Sequence, residues 1–161
     1  MGEWDRSTKK LTLEKVEPEF RTAIQTHLES YHLERILDDY LICIETISTK
    51  KKKKLWGGIP NQTTQVVFVT PRWLVIAPKG ENDVSPGVLS IQLKDAIAKD
   101  YKDEPGYRLI PDSGLNVTGA FTGRIGMYEN VNITSFIALG EDAAAREFKE
   151  ILLEAMQKAK V

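Results

Sequence analysis

The sequence predicts an α+β domain: about seven short antiparallel strands, a long helix over one end of a bent sheet, and an extra N-terminal helix. Three observations predict it. Two amphipathic segments with helical spacing bracket the chain, one beginning near Pro18 and one near Asp142. Between them lie short runs rich in β-branched and aromatic residues, separated by Gly, Pro and Asn. The last helix carries an apolar face wide enough to cover a sheet. A length of 161 residues suits one core, and strands followed by a closing helix give the α+β class.

Residues 1 to about 16 are polar and mixed in charge and read as an arm, poorly ordered at its start. Pro18 opens a helix, flanked by Glu17 and Glu19, which suit its positive end. Phe20, Ile24, His27, Leu28 and Tyr31 form one stripe, so this helix must dock on something. Tyr40 to Ser48 is the first expected strand. Lys50 to Asn61 is a reversal rich in Gly, Pro and Asn. Gln65 to Val69 and Trp73 to Ala77 are strands joined by the Thr70-Pro71-Arg72 turn. Val88 to Leu93 is a strand that can stay extended to Tyr101. Residues 103 to 114 are mostly loop. Leu115 to Phe121 and Val131 to Leu139 are the last long strands, with a shorter one near Ile125 to Tyr128. Asp142 is placed to cap the final helix, whose stripe is Phe148, Ile151, Leu152, Ala155, Met156 and Ala159.

The net charge is −1, with 22 basic and 23 acidic residues. The whole molecule therefore has no bias toward nucleic acid or membrane. Five of the basic residues are consecutive, Lys50 to Lys54. Setting them aside leaves 17 basic residues against 23 acidic ones, an acidic body with one basic spike. At physiological salt such a spike acts over about 8–10 Å. Cys43 is the lone cysteine, which excludes an intrachain disulfide and fits a reducing compartment. No apolar run approaches the roughly 20 residues of a membrane span, and the first residues carry no signal-peptide core. The chain is expected to be cytoplasmic.

The lysine run is followed by Leu55-Trp56-Gly57-Gly58. Dense positive charge beside an amphipathic aromatic suits an anionic surface, where Trp56 can sit at the apolar–polar boundary. Each lysine near an anionic bilayer contributes about 1 kcal/mol at best. Five give a ceiling of about 5 kcal/mol, which is millimolar to sub-millimolar binding by charge alone. Leu55 and Trp56 would supply the second signal that stable peripheral attachment needs. The competing reading is a solvated loop whose lysines discourage edge-to-edge pairing. Nucleic acid ranks third, because arginines are scarce near the run and the pI of about 6.2 is far from a basic footprint.

Three stretches resemble the pleckstrin-homology-like (PH-like) superfamily, in particular its bacterial and GRAM-like members. Val67 to Ile76 is similar to a hairpin in which a Thr and a basic residue flank the turn. Ser90 to Ile97 is similar to the fourth-strand segment. Phe136 to Met156 is similar to the last strand and capping helix. Together they span residues 36 to 161, taken as the PH-like domain. Residues 1 to 35, the arm and amphipathic helix, lie outside it. The resemblance implies a bent seven-stranded sandwich or barrel plugged by the C-terminal helix, and binding rather than catalysis. It also implies a basic loop after the first strand, where Lys50, Lys51, Lys52, Lys53 and Lys54 fall. Family members that select phosphoinositide head groups carry an arginine-containing cluster on the second strand. Gln65 to Val69 has none, which points to charge-driven contact without stereospecific recognition.

Other candidates carry bland readings. His27 and His32 are five apart, on different helix faces, with no third ligand near, so no metal site is expected. Cys43 sits in an apolar strand with no basic neighbour and reads as inert core. Gly119, Gly123 and Gly126 lack phosphate-loop spacing and read as bulges or turns. Asp38-Asp39 and Glu141-Asp142 read as caps and surface. The expectation is a non-enzymatic binding module without a cofactor. It contacts an anionic membrane or polyanion through Lys50–Lys54 and Trp56, or alternatively serves as a protein-interaction or oligomerisation scaffold.

Overall fold

The computed structural model describes residues 2–52, 60–125, 128–130 and 132–161, with only the backbone at 124, 125, 128 and 129. Among the described residues the chain forms strands β1 (Trp4–Leu11), β2 (Ile42–Lys50), β3 (Gln62–Val69), β4 (Trp73–Gly80), β5 (Val88–Gln92), β6 (Ile97–Asp100), β7 (Gly114–Ala120), β8 (Thr122–Ile125), β9 (Tyr128–Glu129) and β10 (Asn132–Ala138). Helix α1 spans Pro18–Ser30 and α2 spans Ala143–Ala159. The fold is α+β. All strand pairs are antiparallel, in a seven-stranded sheet ordered β1-β2-β3-β4-β5-β8-β9 and a three-stranded sheet ordered β10-β7-β6. The two sheets do not join into one hydrogen-bonded barrel among the described residues.

Strands β2 to β4 are apolar on both faces, and the packing explains it. Ile42, Ile44, Val67, Val69, Leu74 and Ile76 face one core, shared with Leu115, Val117 and Ile137 of the small sheet and with Phe148, Leu152 and Met156 of α2. Their neighbours Cys43, Val66, Phe68, Val75 and Ala77 face a second core with Phe20, Ile24 and Leu28 of α1. A sheet covered on both faces reads as near-continuous apolar sequence instead of strict alternation. Phe20, Ile24 and Leu28 of the first helix therefore dock on one face of the large sheet, while α2 packs into the core that the other face shares with the small sheet. Each large side chain buried there contributes about 1.5–3 kcal/mol.

Four expectations are corrected. Ten strands form among the described residues where about seven are expected, because the N-terminal arm adds β1 and the late strands are split into short segments. The N-terminal arm is strand β1, paired with β2 from Trp4↔Lys50 to Leu11↔Cys43. The extension from β5 toward Tyr101 is broken by a short 3₁₀ turn, Leu93–Asp95, in which the Ala96 N–H returns to the Leu93 carbonyl. Asp142 stands at the N-cap of α2, but its side chain makes no bond to the first turn. Its Oδ2 instead accepts from the Thr8 N–H of β1 at 2.9 Å. The carboxylate ties the helix entry to the sheet edge. Farther along α2, Lys149 Nζ donates to Asp100 Oδ2 at 3.0 Å, fixing the helix to β6. Burial pushes the Asp100 carboxyl up, but the Lys149 hydrogen bond, the Lys102 backbone N–H and both lysine charges outweigh it, so its pKa falls below the ordinary value.

Candidate functional site

The lysine run starts inside the sheet. Lys50 is the last residue of β2 and is only 7% exposed. Its N–H donates to the Asn61 carbonyl at 2.8 Å, and its ammonium lies 5.5 Å from the Trp4 ring centroid. The Lys51 N–H donates to the Glu3 carbonyl at 2.9 Å, and its ammonium is 3.9 Å from Asp5 Oδ1. Both of those side chains are well exposed, so the pair contributes little. Lys52 is exposed. Lys53, Lys54 and Trp56 lie outside the described residues.

Beside Lys50 stands a cluster that sequence reasoning missed. Arg6 reaches from β1 to Asp112 with a fork of two hydrogen bonds, Nε to Oδ1 at 2.8 Å and Nη2 to Oδ2 at 2.6 Å. Its Nη1 donates to Ser48 Oγ. The guanidinium also lies 5.4 Å from the ring centroids of Trp4 and Phe136. The Arg6 side chain is 7% exposed. Trp4 thus holds two cations, Arg6 and Lys50, and both are committed to the fold. The available signal was the alternation Trp4, Arg6, Thr8. It does not read as a strand because the inward face is mostly polar.

A broad concavity lies elsewhere, on the α1 face. An open groove of about 1330 Å³ runs between Thr22 and Thr26 of α1, with Tyr31 at its C-cap, and Pro78, Val84 and Pro86 of β4 and the following connection. The Glu19–Lys79 ion pair, at 3.2 Å, links the helix side to the strand side. At its base His27 is buried, with Nε2 2.8 Å from Ser90 Oγ. Burial pushes the His27 pKa from 6.5 down to about 4. The imidazole is therefore neutral at physiological pH. The Tyr31 ring stands 4.9 Å from it, and the Tyr31 hydroxyl reaches Asn130 Oδ1 at 3.4 Å. Asn130 Oδ1 also accepts from the Gly123 N–H at 3.0 Å. Gly123 has φ +123°, and a Cβ there would sit 2.2 Å from the Val88 carbonyl oxygen and 2.7 Å from His27 Cε1. Glycine at this place lets β8 close over the imidazole.

Ser90 is fully buried, so its hydroxyl is not presented to a substrate. No carboxylate is bonded to His27 among the described residues to complete a relay. Cys43 is also fully buried, and burial, aided by the Glu45 charge, pushes its thiol up to about 12. His32 is exposed at the end of α1, in a left-handed conformation with φ 58°. Among the described residues no three His, Cys, Asp or Glu side chains gather where they could hold a metal ion. No helix among them is long and apolar enough to cross a membrane. Comparison with protein-family models, with curated proteins and with solved structures found no match to this chain.

Proposed function

We propose that this chain is a non-catalytic, PH-like binding module that touches an anionic surface through its lysine-bearing end. Two features support the architecture. The β2-β3-β4-β5 meander is followed by the three-stranded β6-β7-β10 set and then by α2, packed into the core between them. Seven strands and a C-terminal helix are what the sequence resemblance implies, and on this reading β1, α1 and the β8–β9 hairpin are additions. The observation that carries the functional reading is the exit of the run from a rigid strand pair. Lys50 is anchored over Trp4, and Lys51 and Lys52 follow it on the exposed side. The proposed contact set is then Lys51 to Lys54, with Trp56 as the aromatic residue that follows them in the sequence. Four lysines at about 1 kcal/mol each give weak, salt-sensitive attachment. A cytoplasmic location and peripheral attachment belong to the same proposal.

The test is co-sedimentation with neutral and anionic vesicles at low and physiological salt, comparing the wild type with a variant carrying Gln at positions 51 to 54. Anionic vesicles should retain the wild type in a salt-dependent way, and the variant should lose most of that binding. Equal binding to both vesicle types, or no effect of the substitutions, would sink the reading. A second reading, a scaffold that docks a protein partner, is favoured by the groove on the α1 face. Light scattering over a concentration series addresses its oligomeric form, and a monomer at every concentration counts against self-association.

A further inference from the structure

The Thr70–Arg72 turn leaves the large sheet at the end opposite the lysine run. There the turn, the 3₁₀ turn Leu93–Asp95 and the last turn of α2 enclose a pocket of about 400 Å³. Arg72, Gln92, Lys94 and Lys158 line it together with Pro71, Ala159 and Val161, and none of these side chains is acidic. Three cations from three separate elements thus converge on one concavity.

The backbone beneath them is firmly held. The Leu93 N–H donates to the Arg72 carbonyl at 2.8 Å, and Trp73 pairs with Gln92 in the β4–β5 register. Lys160 Nζ donates to the Ala96 carbonyl at 2.7 Å, which ties the end of α2 to the same segment. Among the described residues Arg72 and Lys94 have no side-chain hydrogen bond or ion pair, and both are exposed. Lys158 meets Glu154 one turn back at 2.9 Å, an exposed pair that spends little of its charge. The negative end of α2 amounts to about half an elementary charge. Lys158 and Lys160 already answer to it, so Arg72 and Lys94 are left over.

We infer that this pocket binds a small polyvalent oxyanion, a phosphate group in particular. The Arg72 guanidinium offers a planar fork for two phosphate oxygens. Lys94 and Lys158 supply point charges, and the Gln92 amide supplies a neutral donor. The volume lies within the range of small-ligand sites. The pocket is separated from the lysine run by the length of β3, roughly 25 Å. That exceeds two Debye lengths at physiological salt, so the two ends act independently, and failure at one leaves the other standing.

The experiment is a titration of the full chain with inorganic pyrophosphate, read by calorimetry and by backbone amide shifts. Three proteins are compared: the wild type, Arg72→Gln/Lys94→Gln, and Lys51→Gln/Lys52→Gln. The expected result is saturable one-to-one binding, with shifts confined to Arg72, Gln92–Asp95 and the end of α2. The Arg72/Lys94 variant should bind at least tenfold more weakly with an unchanged melting temperature, and the Lys51/Lys52 variant should bind like the wild type. Vesicles containing a phosphomonoester lipid then identify the source. If the Arg72/Lys94 variant loses vesicle binding, the phosphate is a lipid headgroup. If vesicle binding ignores the substitution while pyrophosphate binding is lost, it is a soluble phosphate. Non-saturating shifts spread over all lysines, or undiminished affinity in the Arg72/Lys94 variant, would overturn the assignment.

Discussion

Lys50 and Lys94 each stand just where a strand of the large sheet ends, yet Lys50 is 7% exposed against Trp4 and Lys94 is open to solvent at the rim of a pocket. Around Lys50 the cations are consecutive in the chain, and the first of them is taken up by the fold. Around Lys94 they come from positions 72, 94 and 158, and two of the three have no partner among the described residues. Charge density along a chain therefore differs from charge available to a ligand. An ammonium held over a ring contributes to stability, whereas a cation without a partner retains its field for something else.

The sharpest way to break this contrast is to remove the cation most deeply committed at the lysine end. Arg6→Gln strands the Asp112 carboxylate and frees β1 from the segment that leads into β7. A partly buried pair broken on one side should cost about 2–4 kcal/mol, visible as a lower urea midpoint. A loss below about 1 kcal/mol would mean that Arg6 holds nothing together.

The groove provides an internal reference for acid sensitivity away from both ends. His27 has its folded-state pKa lowered from 6.5 to about 4, so the unfolded chain binds the proton first. Its contribution to stability is complete above pH 6.5 and is lost as pH falls toward 4. The loss is on the order of 2 kcal/mol after allowance for the groove's partial solvation. His27→Gln removes this component while keeping a hydrogen-bonding side chain beside Ser90. Urea melts at pH 7 and 4.5 should show a smaller pH-dependent loss for the variant, and identical slopes would remove His27 from the acid response.

The smallest effect tests the comparison directly. Lys50→Gln should cost about 1 kcal/mol through the lost Trp4 contact, while Lys94→Gln should stay within about 0.5 kcal/mol. Thermal melts of the two variants measure the difference, and equal costs would erase the distinction between a structural and a free lysine.

Legibility in the sequence follows the same logic. Strands β2 to β5 and both helices announce themselves because burial demands apolar residues at fixed spacing. Of the expected stripe, Phe20, Ile24, His27 and Leu28 are buried, while Tyr31 stands half-buried at the C-cap of α1. Strand β1 is hidden because its inward side chains, Trp4, Arg6 and Thr8, are satisfied by specific partners, among them the Thr8–Thr46 hydroxyl contact at 2.8 Å. Those partners lie about 40 to 135 positions away along the chain. The His27–Ser90 contact is hidden for the same reason, with 63 positions between its members.

By itself the sequence determined the α+β class, the two helices, the apolar strands and the presence of a basic run, because each depends on neighbours or on periodic spacing. Tertiary structure alone decided that Lys50 is spent on Trp4, that β1 belongs to the sheet, and that Arg72, Lys94 and Lys158 share one pocket. Electrostatic and hydrogen-bonding partners act over a few ångströms of space, whatever their separation along the chain, so only the folded backbone brings those charges together or sets them apart.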